Sequence, residues 1–598
     1  MKISNFVAIL LLVLMFLLMF FSSLGDSATF DEVAHIGAGY SYLSEKDARL
    51  NPEHPPLIKD LAAFPLLFFP PTGGLNFSTD KFFWTIPNVN DRQWLVGNSL
   101  LYESENDADK ILLFSRLPIM VLAVIFGFIL FWWTRKNYGT FAAFFTLSFF
   151  ILSPTFLAHS RYVTTDLGAA FAFFLSIIFF IKFLEKNDKK SAIYFGIVLG
   201  FSLLVKFSLV ILLPFFVVIR TGYFVFSKSF RSPQKLGLSR SESFGDENAD
   251  NRLPREQTNY RFEKIRNTSF FLGKFIVVFF IAFAVIYIFY IPHVWNYPLE
   301  QNLADAHYTL GNYKTAKFAP EIVFSLLSNK ITQPLGQYLH GFLMVAQRTA
   351  GGNSAYFLGE VSTKGWISYF PVLFITKEQI GLYILMVLAI IISLKKFFED
   401  KFQKISVKTV IFLAFIAYYW AWSLWSPLNI GIRHILPTFP FIYILVSKTL
   451  FNSHPTIKVG GLPLIILLWM ALEIALVFPY FISYYNEFAG GWKNGYKIAT
   501  DSNYDWGQDL KRLKNWKEEN DVEKIYIDYF GGGSPLYYFG ESPVNFEFWR
   551  YEKGPPPRGS YFAVSANSLI GAEDLYHWLK DKKPITRAGS SIFIFKID

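Results

Sequence analysis

Two adjacent carboxylates, Asp31 and Glu32, stand a few residues past the first hydrophobic run, with His35 one helical turn further on. Residues four apart share a helix face, so Asp31 and His35 would point the same way. A carboxylate held against an acceptor hydroxyl or amine can take its proton during attack. The same pair also suits the first turn of a helix, whose dipole favours acidic side chains. Farther along, Arg116, Asp166, Lys206 and the pair Arg433-His434 interrupt or border other apolar segments. A lone charge at the centre of a bilayer costs roughly 2.5–3.5 kcal/mol, so such groups usually face a protein interior, a watery cavity or a ligand. Lys206 and the pair Arg433-His434 are cations at outer membrane ends, suited to an anionic headgroup, and the arginine fork bonds two phosphate oxygens at once. Arg116 could snorkel to the interface. Asp166 closes the run Arg161-Tyr162-Val163-Thr164-Thr165-Asp166, where either Thr165 or Asp166 could cap a helix. The loop Asn51-Pro52-Glu53-His54-Pro55-Pro56-Leu57, with Lys59 close behind, is stiffened by three prolines. It would either present His54 and Lys59 accurately or serve as a rigid connector.

These groups need elements to hold them, and the composition says which. Of 598 residues, 53% are hydrophobic and 19% aromatic, while only 17% are charged, against roughly 25% in soluble domains. Several apolar runs reach the ~20 residues needed to cross a bilayer. The net charge of +10 is not a nucleic-acid footprint, because it is segregated. Between Arg220 and Lys274 there are 11 Lys/Arg against 6 acids, and between Gly25 and Lys110 there are 6 against 13. That asymmetry is the positive-inside signature of a membrane protein. With no cysteine, disulfides, thiolate catalysis and cysteine metal sites are excluded.

Hydropathy with Lys/Arg flanks predicts about eleven spans, at roughly 5–23, 111–133, 139–158, 166–184, a short pair flanking Lys206, 271–291, 375–394, 409–425, 434–450 and 461–482. The first run reads as a retained helix, with a cleaved signal peptide as the alternative. Domain organisation follows: a transmembrane domain over 1–483, with outer loops at 25–110 and 292–370 and a cytoplasmic linker at 220–270, then an extracytoplasmic α/β domain over 484–598. In that domain Asp505 to Glu519 predicts an amphipathic helix presenting Leu510, Leu513 and Trp516, and strands are predicted at 524–530, 561–565 and 591–597. Gly531-Gly532-Gly533-Ser534 lacks the Lys-Ser/Thr of a phosphate loop and predicts a flexible turn. Asn76-Phe77-Ser78 fits the glycosylation pattern of secretory pathways.

Taken together, the carboxylates and cations place both halves of a transferase site on one membrane face. The chain resembles the polyprenyl-phosphate-dependent glycosyltransferases of the GT-C superfamily, in particular the protein O-mannosyltransferase (family 39) and aminoarabinose-transferase-like group. The resemblance rests on Asp31-Glu32, the His54-Pro-Pro-Leu loop, Arg161 to Asp166, Lys206-Phe207-Ser208, Asn429 to Pro437, Tyr484 to Glu487, and Asp501 to Leu510. It implies a GT-C fold whose donor is a sugar on undecaprenyl or dolichyl phosphate, transferred with inversion. It implies Asp31 as general base with Glu32 assisting, and Asp166 as a second acidic position that orients the acceptor or, in some members, a metal. Arg116, Lys206 and Arg433 would contact the donor phosphate, with Lys59 and His434 beside them, and His35, His54 and Arg161 would line the pocket. A divalent metal is left open. The resemblance also implies a bacterial inner membrane. Residues 292–370 are too few for the β-trefoil domain that protein-modifying members carry there, so the acceptor stays open among lipid, glycan and protein. A flippase for a lipid-linked sugar and a non-catalytic envelope assembly platform are the competing readings. Against the first, no internal repeat is evident and the ionisable residues crowd one face rather than the midplane.

Overall fold

Long runs of Leu, Phe and Ile have no water to bond in a bilayer, so they close their backbone hydrogen bonds within helices. The computed structural model of the protein describes residues 3–68, 75–77, 84, 86, 88–229, 253–313, 316, 318–399, 405–452, 461–570, 575–579 and 582–598. Ser78 of the glycosylation pattern lies outside them, as does 230–252, the centre of the expected linker. The flanks of that linker are helical rather than irregular.

The chain divides into two compact units, Met1–Phe171 with Tyr290–Asp598, and Ala172–Phe289. Helices α1 (Ile3–Ser23), α2 (Phe30–Ser44), α3 (Leu57–Ala63), α4 (Val89–Asn98) and α5 (Ala108–Leu152) open the first unit. Helix α6 (Asp166–Lys186) leads into the second, which holds α7 (Lys189–Leu203), α8 (Leu212–Ser229) and most of α9 (Leu253–His293). The first unit resumes with short helices over 299–351 and a hairpin of β1 (Ala355–Phe357) and β2 (Glu360–Ser362). Then come α10 (Ile380–Glu399), α11 (Val407–Trp425), α12 (Phe439–Asn452) and α13 (Leu462–Val477).

Among the described residues, seven helices are long and apolar enough to cross a membrane: Ile3–Ser23, Ala108–Leu152, Asp166–Lys186, Gly273–His293, Ile380–Glu399, Val407–Trp425 and Ile432–Phe451. The protein is an integral membrane protein with a polytopic helical fold. The expected eleven spans differ for two reasons. Runs 111–133 and 139–158 belong largely to α5, which bends where Gly139 leaves the helical region at φ 86°. The segments flanking Lys206, and the run at 461–482, make shorter helices, and fifteen residues extend only ~22 Å.

Around α5, the first unit packs α1 and α12 along its length, and α10 joins α12. Helix α2 lies against α3 and α4. Its crossing with α4 is glycine on glycine: a Cβ on Gly37 would strike the Gly97 backbone at 2.8 Å. Glycine is what lets two backbones approach this closely.

The C-terminal sheet has the order β4-β3-β5-β7-β6, formed by β3 (Ile525–Asp528), β4 (Phe546–Phe548), β5 (Tyr561–Ser565), β6 (Thr586–Ala588) and β7 (Ile592–Lys596). Strand β3 pairs in parallel with β4 and β5, and β7 runs antiparallel to β5, with Ala563 opposite Ile594. Helix α14 (Leu510–Glu519) covers one face, burying Leu510 and Leu513 against Ile525, Ile527 and Ile594, with Trp516 at the margin. Its apolar face is the one predicted. Strands β4 and β6 are three residues each, too short for an alternating pattern to show.

Candidate functional site

Helix α2 is fixed at its first turn by the second of the two acids. Glu32 is fully buried, and its Oε2 accepts from the Thr29 backbone N–H at 2.9 Å and from the Thr29 hydroxyl at 3.1 Å. That is half of a capping box. Arg116 in α5 reaches the same carboxylate through Nη2 at 2.7 Å and Nε at 2.8 Å, and the Val163 N–H donates to it at 3.1 Å. The remaining guanidinium hydrogens of Arg116 go to the carbonyls of Ser23, Asp26 and Ser27. Glu32 and Arg116 therefore tie α2 to the end of α1 and to the Arg161–Asp166 segment.

Asp31, one residue earlier, points the other way. Its side chain is 26% exposed, and its Oδ2 accepts from Arg433 Nη1 at 2.8 Å. The same Nη1 lies 3.4 Å from Asp166 Oδ2, at the first residue of α6. The Arg433 guanidinium stacks 4.3 Å over the Trp506 ring. A 3-10 turn, Ile432–Thr438, aims Arg433, and Gly431 enters it at φ 143°, where a Cβ would collide with Ser502. The Ile432 N–H is held by Asn503 Oδ1 at 2.9 Å, and the Phe30 N–H donates to the Trp506 carbonyl at 3.0 Å. So the segment 501–508 braces both Asp31 and Arg433. Burial pushes the Asp31 carboxyl up, but Arg433 and His35 outweigh it and leave it below the usual carboxylate range.

Asp501 also belongs to this cluster, and although it sits in a motif the sequence singles out, its role was not legible there. Burial pushes its carboxyl up to about 6, with the Arg433 charge opposing and Asp31 adding to the rise. Its φ of 55° is uncommon for a residue other than glycine. Two carboxylates, Asp31 and Asp166, thus contact one guanidinium, and the charge of Asp501 is felt by it as well. Among the described residues no three His, Asp or Glu side chains are grouped to hold a metal ion.

His35 Nδ1 lies 2.8 Å from the Val163 carbonyl and so carries its proton there, and its ring meets that of His54 edge-on at 5.1 Å. Burial lowers its pKa, with Asp31 pulling the other way. Lys59 is fully buried, and its Nζ donates to the Asn51 carbonyl (2.8 Å), Asn51 Oδ1 (2.9 Å), the His54 carbonyl (2.7 Å) and the Tyr42 hydroxyl (3.0 Å). It clamps the proline loop from inside, and burial pushes its ammonium well below the usual lysine range. Arg161 is likewise enclosed, donating to the Pro479 carbonyl at 3.0 Å and pairing with Asp26 at 3.2 Å. His434 has its carbonyl bonded by the Tyr419 hydroxyl and its ring 6.4 Å from Phe370. Lys206 lies in the second unit, between α7 and the 3-10 turn Phe207–Ile211. Of the expected residues, Asp31, Asp166 and Arg433 converge on one point, while Glu32, Arg116, Lys59 and Arg161 are committed to the scaffold around it.

Residues 112–238 match the family described as Dolichyl-phosphate-mannose-protein mannosyltransferase. This stretch contains Arg116, Arg161, Asp166 and Lys206, so the resemblance drawn from the motifs is met over it. No curated protein matches the sequence. Among solved structures the chain is similar to ArnT from Cupriavidus metallidurans bound to undecaprenyl phosphate, at TM-score 0.43 and 11% identity, over 99% of this chain and 98% of that one. It is also similar to the Archaeoglobus fulgidus oligosaccharyltransferase in complex with Zn and sulfate, at TM-score 0.41 and 12% identity, over 93% of this chain and 68% of that one.

Proposed function

We propose that the protein transfers a sugar from a polyprenyl-phosphate donor to an acceptor at the outer membrane face, with inversion. The observation that carries this reading is the convergence of a part-exposed carboxylate, Asp31, with a guanidinium, Arg433, at the end of an apolar helix. A phosphate leaving group needs no acid where a cation already stabilises its charge. One base and one cationic clamp then suffice for a single in-line displacement. Asp31 takes the proton from the acceptor hydroxyl or amine, the acceptor atom bonds to the anomeric carbon, and the bond to the phosphate oxygen breaks. Arg433 receives the released phosphate.

In the resting arrangement Arg433 is occupied by Asp31. A donor phosphate arriving at the guanidinium competes for those hydrogens. Asp31 then loses part of the interaction that holds its pKa down, and becomes a stronger base when the donor is present. Asp166 keeps Arg433 in place during the exchange. Arg116 and Lys59 are left out of the phosphate set, because their hydrogens are already spent on buried acceptors. The test is the Asp31→Asn protein, purified in detergent and supplied with polyprenyl-phosphate sugars. Release of polyprenyl phosphate should cease while donor binding persists; near-wild-type turnover would remove Asp31 as base.

A further inference from the structure

Beside the first turn of α2 there is a second, polar cleft of about 310 Å³, walled by the end of α4 and by the loop Gly531–Ser534. From α4 and the turn that follows it, Leu95, Asn98, Tyr102 and Glu103 line it. We infer that this cleft binds one pyranose unit; in the transferase reading, on which this assignment of the sugar rests, that unit belongs to the acceptor.

Four observations support this. The loop is rigid, not the flexible turn its glycines predict: the Tyr102 hydroxyl donates to the Gly532 carbonyl at 2.8 Å, the Gly533 N–H donates to the Tyr529 hydroxyl at 3.1 Å, and that hydroxyl donates to the Gly507 carbonyl at 2.6 Å. The loop is also seated on the reactive helix. A Cβ on Gly532 would collide with the Thr29 carbonyl and the Val33 side chain, and the Phe530 ring stacks on Phe30 at 5.4 Å. The cleft and Asp31 therefore share the opening turn of α2. Third, the wall bearing Tyr102 and Glu103 is a π-helical turn, Ser99–Glu103, a local irregularity frequent at functional sites. Fourth, the lining has the chemistry of sugar recognition. A planar amide, Asn98, and a planar carboxylate, Glu103, can each bridge neighbouring hydroxyls, while the Tyr102 ring and Leu95 offer apolar surface to the C–H face of a ring.

The same lining argues against other ligands. Among the described residues no lysine or arginine lines the cleft, and an exposed carboxylate does, which disfavours a phosphate or a carboxylate ligand. Its polarity is wrong for a prenyl tail. Its volume lies at the low end of small-molecule sites, suited to a single sugar ring rather than a folded peptide.

The test is saturation-transfer difference NMR on the full chain in detergent, with the methyl glycosides of glucose, galactose, mannose and N-acetylglucosamine as probes. Ring-proton signals from at least one glycoside are expected with the wild-type protein and equally with Asp31→Asn. The doubly substituted Asn98→Ala, Glu103→Gln protein, shown by gel filtration to be folded, should bind that glycoside about tenfold more weakly, the loss of one charge-assisted hydrogen bond. No signal from any glycoside, or the same signal from the double variant, would overturn the sugar subsite. A wild-type protein that releases no polyprenyl phosphate from polyprenyl-phosphate sugars would instead count against the transferase reading and leave the glycoside result standing.

Discussion

Asp31 and Arg433 are separated by 402 positions in the chain and meet at 2.8 Å. Nothing local brings them together. Asp31 is delivered by a helix capped through its neighbour Glu32, and Arg433 by a 3-10 turn braced by Asn503. The contact sets a carboxylate against a guanidinium, the two groups that the proposed transfer uses as base and phosphate clamp.

Asp31→Asn keeps the shape and loses the proton acceptor. Turnover should fall by at least about a hundredfold, the usual scale of general base catalysis. Isothermal titration with donor should still detect binding, because Arg433 is untouched.

Arg433→Gln acts on the same group from the other side. Burial pushes the Asp31 carboxyl up, and the guanidinium is the largest influence holding it down. With that charge gone, the Asp31 pKa rises. The acid limb of kcat/KM should then move to higher pH by about one unit or more. A pH profile from 3 to 8 on both proteins measures this, and an unmoved limb would mean that Asp31 is not the titrating base.

Much of this arrangement was legible in the sequence where chemistry and hydropathy coincide. Asp31, Asp166 and Arg433 stand out because charges beside apolar runs are expensive unless used. The C-terminal helix was readable from Leu510, Leu513 and Trp516, which repeat at helical spacing. The roles of Glu32, Arg116, Lys59 and Arg161 were not, because a buried structural charge and a ligand-binding charge look alike until their partners are known. Lys59 donates to carbonyls at Asn51 and His54, groups that every residue carries and no sequence pattern marks. Asp501 and the Gly531–Ser534 cleft depend on segments hundreds of residues away, which spacing cannot reveal.

Glu32 and Arg116 form a buried pair, 0% and 2% exposed at their side chains. Removing one partner strands a charge and costs about 3–5 kcal/mol. Glu32→Gln and Arg116→Met singly should each lower the thermal midpoint sharply, and the two together should lower it by less than their sum. A double-mutant cycle by thermal unfolding in detergent checks this. Strict additivity would mean that the pair does not hold α2 in place.

Asp501 predicts a stability that falls as pH rises. Its carboxyl is raised to about 6 in the folded protein, whereas an unfolded chain titrates it near 3.9. Between those values the folded state binds the proton more tightly, so stability declines as pH rises through that window and is lowest above it. Asp501→Asn removes the titrating group while keeping its size. The variant should be more stable than wild type at pH 7.5, with the difference shrinking as pH drops below 6 and vanishing near 4. Thermal midpoints of both proteins across pH 4–8 measure it. A gap that stays constant with pH would show that burial does not raise the Asp501 carboxyl.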